Sequence, residues 1–193
     1  LGGVGNGTKL EYIQVSYSGD DSYEFFGGTV NAKYLIAYRG WDDDFDTDFG
    51  YSGKLQFLLG VRDHQIADAS QSNGFESDND GSGSTNSPRT SPTWYNVTLI
   101  GPSATSAINT LFKNGMHLRR SSQNKIYNAL IMGWPQGLLI DGTNTVADMK
   151  ASTAAFIKNS IVSGSTSATF KSTDAAFQTE MPTWFTTNGG RVY

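Results

Sequence analysis

The chain has no cysteine. Thiolate metal sites and disulfide staples are therefore excluded, while the compartment stays open, since many secreted bacterial proteins also lack disulfides. Charge is sparse as well: 17% of the 193 residues are charged, and the formal net charge is −4. No basic stripe interleaves with aromatics, which argues against a nucleic-acid partner. No apolar run approaches the length that spans a bilayer, and the chain does not open on a signal peptide. It begins Leu1-Gly2-Gly3-Val4-Gly5, which reads as the middle of a repeat, so further chain is expected upstream.

What is present is Gly, Ser, Thr and Asn, with an aromatic fraction of 12% that is too high for disorder. The length suits one domain with a substantial core. Together these features predict a turn-rich β protein with large side chains inside it.

An internal repeat organises the chain. One segment type is apolar, β-branched or aromatic and ends in a turn: Tyr12 to Gly19, Lys33 to Gly40, Trp94 to Gly101, Ile126 to Gly133 and Phe156 to Gly164, with a weaker copy from Lys54 to Val61. A shorter type lies between these copies: Tyr23 to Phe26, Phe45 to Asp48, Phe75 to Asp78, Met116 to Arg119 and Leu138 to Asp141. Glu24 to Asp46 and His117 to Leu139 are each 22 residues apart, and Gln14 to Leu35 is 21. Where the interval lengthens, the extra residues fall in polar stretches at 62–72, 79–92, 102–113 and 141–152. A rung of about twenty residues with excursions at fixed corners is the behaviour of a solenoid. The expected fold is all-β: a right-handed parallel β-helix of about six rungs with long surface loops, over 1–165. A C-terminal cap or tail is expected over 166–193. A β-sandwich would need hairpin signals that are scarce here.

Asn96, Asn128 and Asn159 each stand five residues before the turn glycine, so an asparagine ladder is expected along the stack. In the shorter segments, alternation points Tyr23, Phe45, Phe75, Met116 and Leu138 inward. The outward positions then carry Glu24, Asp46, Glu76, His117 and Leu139, and two residues on Phe26, Asp48, Asp78, Arg119 and Asp141. Asp46, Asp48, Glu76 and Asp78 would form a carboxylate patch, with Asp42, Asp43, Asp44, Asp20 and Asp21 crowding the adjacent turn. Oxygen-only donors suit Ca²⁺. The metal set is accordingly Asp46, Asp48, Glu76, Asp78, Asp44 and Asp43. The alternative is a solvated acidic edge offset by Arg119, Arg120 and Arg62.

The runs Gly19 to Asn31, Arg39 to Asp48 and Asn73 to Asn79 resemble secreted or lipid-anchored proteins common in Bacteroidetes, with a pectin-lyase-like β-helix and mostly no assigned activity. The resemblance covers about residues 1–165. It implies placement at the cell surface or outside the cell, with polysaccharide or other surface proteins as partners. Such folds include polysaccharide lyases that use Ca²⁺ with a Lys or Arg base, which would make Arg119 and His117 the catalytic candidates. A plain ion pair of Arg119 with Asp78 across rungs is the simpler expectation. Glu24 with Asp46 could also be read as a glycosidase pair, a weak signal on any acidic β-helix. Trp41 and Trp134 are expected in turns, packed over the helix edge rather than stacked on sugars. His64 is expected in an exposed loop. The reading is a Ca²⁺-stabilised structural, adhesive or glycan-binding scaffold, and the alternative is a polysaccharide lyase or hydrolase acting on an acidic glycan.

Overall fold

Alternating short and long apolar segments fold into two parallel sheets in a computed structural model that describes residues 1–103 and 107–193. The long strands β1 (Lys9–Ser16), β3 (Asn31–Tyr38), β5 (Lys54–Val61), β7 (Thr93–Ile100) and β9 (Lys125–Met132) pair in that order. β11 (Phe156–Lys158) and β12 (Ile161–Ser163) both follow on β9, and β14 (Arg191–Val192) on β12. The short strands β2 (Tyr23–Phe26), β4 (Phe45–Asp48), β6 (Phe75–Ser77), β8 (Asn114–Leu118), β10 (Gln136–Ile140) and β13 (Ala168–Ser172) make the second sheet. Consecutive strands up to β10 fall in opposite sheets and all ladder pairs are parallel, so the chain coils as a β-helix rather than folding back in hairpins.

The inward column of the short-strand sheet is as the alternation requires. Tyr23, Phe45, Phe75, Met116, Leu138 and Phe170 are in register, and Phe45, Phe75, Met116 and Leu138 are fully buried. Each such side chain contributes about 1.5–3 kcal/mol by leaving water. Phe75 packs edge-on to Phe45, with ring centroids 5.6 Å apart, and lies 4.3 Å from Trp94 of the facing sheet.

Each of the five full-length strands bends at its fourth residue. Tyr12, Tyr34, Phe57, Asn96 and Asn128 all have φ between 56° and 60°, and Asn159 continues the column with φ 51°. Asn tolerates this left-handed conformation; Tyr and Phe take it up at a cost. Their compensation is stacking: Tyr12 lies 4.6 Å from Tyr34, and Tyr34 lies 5.1 Å from Phe57, with nearly parallel rings. Below them Asn128 Nδ2 donates to Asn96 Oδ1 at 3.1 Å, one step of the expected ladder. The same exposed ridge is thus aromatic at one end and amide at the other, and it divides the long-strand sheet into two outward faces.

Four expectations need correction. Gln14 pairs with Ile36, not Leu35: the 21-residue interval holds between Gly19 and Gly40, and the strands themselves repeat at 22. The fold is not wholly β. The polar excursion 141–152 contains helix α1 (Thr143–Ala151), and the tail contains α2 (Ala175–Thr187), which buries Phe177, Met181 and Phe185 at helical spacing. Trp134 is fully buried beneath Arg62, not set over an edge; Trp41 is the exposed one. The excursion 79–92 lies largely at the surface, yet buried Asn79 braces it by donating to Ser84 O and Asn86 O and accepting from Thr90 N. Of the excursion 102–113, residues 104–106 lie outside the described residues.

Candidate functional site

The outward face of the short-strand sheet collects the acidic residues. Parallel register sets Glu24 beside Asp46, Asp46 beside Glu76, and Glu76 beside His117. The preceding turns bring Asp20, Asp21, Asp42 and Asp43 to the same end. Of the expected metal set, Glu76 and Asp78 are already engaged. Arg119 Nε donates to Asp78 Oδ1 at 2.8 Å and its Nη2 to Glu76, while Arg120 Nη1 donates to Asp78 Oδ2 at 2.7 Å. Asp48 accepts from the backbone N–H of Phe49.

Asp44 turns away from this face altogether. It is fully buried against Arg62, with Nε and Oδ1 3.2 Å apart. The Arg62 guanidinium also donates to Gly40 O at 3.0 Å and lies over the rings of Phe112 and Trp134. Gly60 makes room for the pair, since a Cβ there would stand 2.3 Å from Asp44 Oδ2. Burial pushes the Asp44 carboxyl up to about 7 against the pull of Arg62.

What the fold does bring together is Asp21, Glu24 and Asp46, whose ligand oxygens lie within 4.8 Å of one another. Asp20 and Asp42 form a second triad with the shared Asp21. Asp46 Oδ1 is sealed from solvent and has no hydrogen-bond partner among the described residues. Burial, then the charges of Asp21 and Glu76, raise its pKa well above the ordinary carboxylate range. Burial likewise lifts Asp21 to about 7, although the Asp43 N–H donates to it. Asp43 is buried and raised by desolvation and by Glu76, and it accepts from Asn73 N. Glu76 behaves in the opposite way: burial would raise it, but His117, Arg119 and Arg120 together hold it below its ordinary value. His117 stands 3.5 Å from both Glu76 and Asp141. A polar cavity of about 330 Å³ opens beside this group, lined by Asn73, Glu76, Lys113, His117, Arg119 and Lys171.

A coil of parallel rungs with a polar, carboxylate-bearing short-strand face is matched over residues 1–191 by the family model for a pectate-lyase-like β-helix domain. The chain belongs to that family. No curated protein and no solved structure matches it. As in any pectate-lyase-like β-helix, the fold leaves the chemistry to the side chains on its faces, so activity must be argued from those groups.

Three features of this β-helix were hidden in the sequence. Nothing in the linear order joins Asp21 and Glu24 to Asp46 as ligands, although Glu24 and Asp46 stand 22 residues apart, one rung. The inward turn of Asp44 has its only sequence trace in Gly60. Five of the eight lysines, dispersed along the chain, gather with tyrosines on one long-strand face, a basic surface that the linear order does not suggest. His64 lies partly exposed, near Asp63, as a loop residue.

Proposed function

We propose that the protein is a right-handed β-helix module of the cell exterior, of about six rungs, that holds a Ca²⁺-type cation on its short-strand face and presents that face to a glycan. The observation that carries this reading is the buried, unpartnered Asp46 oxygen inside the Asp21–Glu24–Asp46 triad. Two carboxylates about 5 Å apart repel by about 3 kcal/mol at an effective dielectric of about 20, so three of them favour a divalent ion strongly. Hard oxygen donors without thiolate or imidazole suit Ca²⁺, and Asp20, Asp42, backbone carbonyls or water can complete its six to eight oxygens. The cation site is accordingly moved from Asp48, Glu76 and Asp78 toward the turns that carry Asp21 and Asp42. Differential scanning calorimetry with Ca²⁺ against chelator tests it: the melting temperature rises with Ca²⁺ in the native chain and not in Asp46→Asn. An equal rise in both removes the site.

A second reading, glycoside hydrolysis, is favoured by one specific contrast. Burial raises the pKa of Asp46 while His117, Arg119 and Arg120 lower that of Glu76, its neighbour in the ladder, and opposite shifts of this kind separate a general acid from a base. A lyase reading is less well supported. Burial works against the Arg119 charge, but Asp78 and Glu76 raise its pKa further, which makes it a poor proton acceptor. Reducing-end release from uronate polymers in chelator supports hydrolysis; an unsaturated product lost in Arg119→Ala would favour the lyase instead. No turnover under either condition leaves the binding module.

A further inference from the structure

The first half of the long-strand sheet, between the strand starts and the left-handed ridge, carries charge opposite to that of the short-strand face. Its outward positions form two columns. One runs Lys9, Asn31, Lys54, Thr93, Lys125, and the other Glu11, Lys33, Gln56, Tyr95, Tyr127, Lys158. Five of the eight lysines in the chain are therefore here, against one carboxylate, in a protein of net charge −4. Glu11 is shared by Lys9 at 3.0 Å and Lys33 at 3.3 Å. Lys54, Lys125 and Lys158 have no carboxylate partner among the described residues, and Lys158 rests over the Phe156 ring. Partial burial lowers the pKa of Lys125, the behaviour of an ammonium short of a counter-charge. An open cavity of about 540 Å³ lies over the upper part of this face, with Lys9, Lys33, Lys54, Asn31, Gln56 and Tyr95 in its lining.

We propose that this lysine face binds an anionic polysaccharide, one that carries carboxylate or sulfate on repeated sugars. Lys9, Lys54 and Lys125 stand on alternate strands, about 9.6 Å apart along the stack, and so offer a linear polyanion evenly spaced cations. Asn31, Gln56 and Thr93 between them supply the amide and hydroxyl groups that sugar hydroxyls require. The aromatic pair decides against nucleic acid: Tyr95 and Tyr127 lie 4.9 Å apart and almost parallel, so their facing surfaces are taken up by each other. Base binding needs free ring faces as platforms, whereas a glycan can use the phenol edges and hydroxyls. The proposal does not depend on the cation site, because the two faces belong to different sheets.

The test is binding of polygalacturonate and dextran sulfate in chelator, with neutral dextran and single-stranded DNA as further probes. The native chain is compared with a Lys33→Gln/Lys54→Gln/Lys125→Gln variant of unchanged melting temperature. The expected result is salt-sensitive binding of at least one polyanionic glycan that weakens at least ten-fold in the variant, with neutral dextran unbound. A Lys150→Gln variant on helix α1, outside both faces, should keep native affinity. Undiminished binding in the triple variant, an equal loss in the Lys150→Gln variant, tighter binding of DNA, or no binding of either glycan overturns the proposal.

Discussion

Replacing Phe75 by Ala should cost about 4–5 kcal/mol. The ring is fully buried in a central rung and contacts Phe45 edge-on and Trp94 at 4.3 Å. Phe-to-Ala changes in well-packed cores cost about 3–5 kcal/mol through lost transfer energy and the cavity left behind. Two aromatic contacts, each worth about 0.5–1.5 kcal/mol, put this site at the upper end. With a urea m-value of about 2.5 kcal/mol/M for a chain of this size, the unfolding midpoint should fall by about 1.8 M. Far-ultraviolet circular dichroism and tryptophan fluorescence should follow the same transition, since Trp94 shares the core of that rung. Phe57→Ala is the control: the side chain is exposed on the ridge, and its loss should cost less than about 1 kcal/mol. A Phe75→Ala cost below that of Phe57→Ala would refute the inward column and the register built on it.

Gly60→Ala should destabilise by about 1–3 kcal/mol, because the new methyl meets Asp44 and Leu99 and disturbs the buried Asp44–Arg62 pair; chemical denaturation measures it, and a neutral change would contradict that packing. In chelator, thermal stability should fall as pH rises from about 4 through about 7. Asp21 and Asp44 have folded pKa values raised from 3.8 to about 7, so over that window the folded state binds more protons than the unfolded one. Glu76 and Asp80 are lowered and act the other way, losing their contribution only as pH drops below the ordinary carboxylate range. A melting temperature that climbs steadily between pH 5 and 8 without metal would contradict these assignments. Asn79→Ala should expose the 79–92 loop to limited proteolysis well before the native chain is cut there; equal rates would show that the bracing by Asn79 is unimportant.

The β-helix was legible where one physical requirement recurs at each rung. Phe45, Phe75, Met116 and Leu138 are the same apolar demand met four times, and the short-strand ladders could be paired from them. The left-handed ridge was half legible: Asn96 and Asn128 advertise it, but Tyr12, Tyr34 and Phe57 occupy the same backbone conformation, which aromatic residues seldom adopt. Helix α2 carried a readable signal in the spacing of Phe177, Met181 and Phe185 and in the Asp174 cap, masked by Pro182 within it. The cation triad was not legible as such, because Asp21 reaches Asp46 from a turn whose path alternation does not describe. The reach of Arg119 and Arg120 to Asp78 also depends on long flexible side chains. The lysine face needed the register itself, since its members come from five separate strands.

Calorimetric titration of the chelated protein with CaCl₂ tests the central claim most directly. Saturable binding is expected at the Asp21–Glu24–Asp46 site, abolished by Asp46→Asn and undiminished in Asp48→Asn. The absence of saturable binding by the native chain, or binding that survives Asp46→Asn, would contradict it.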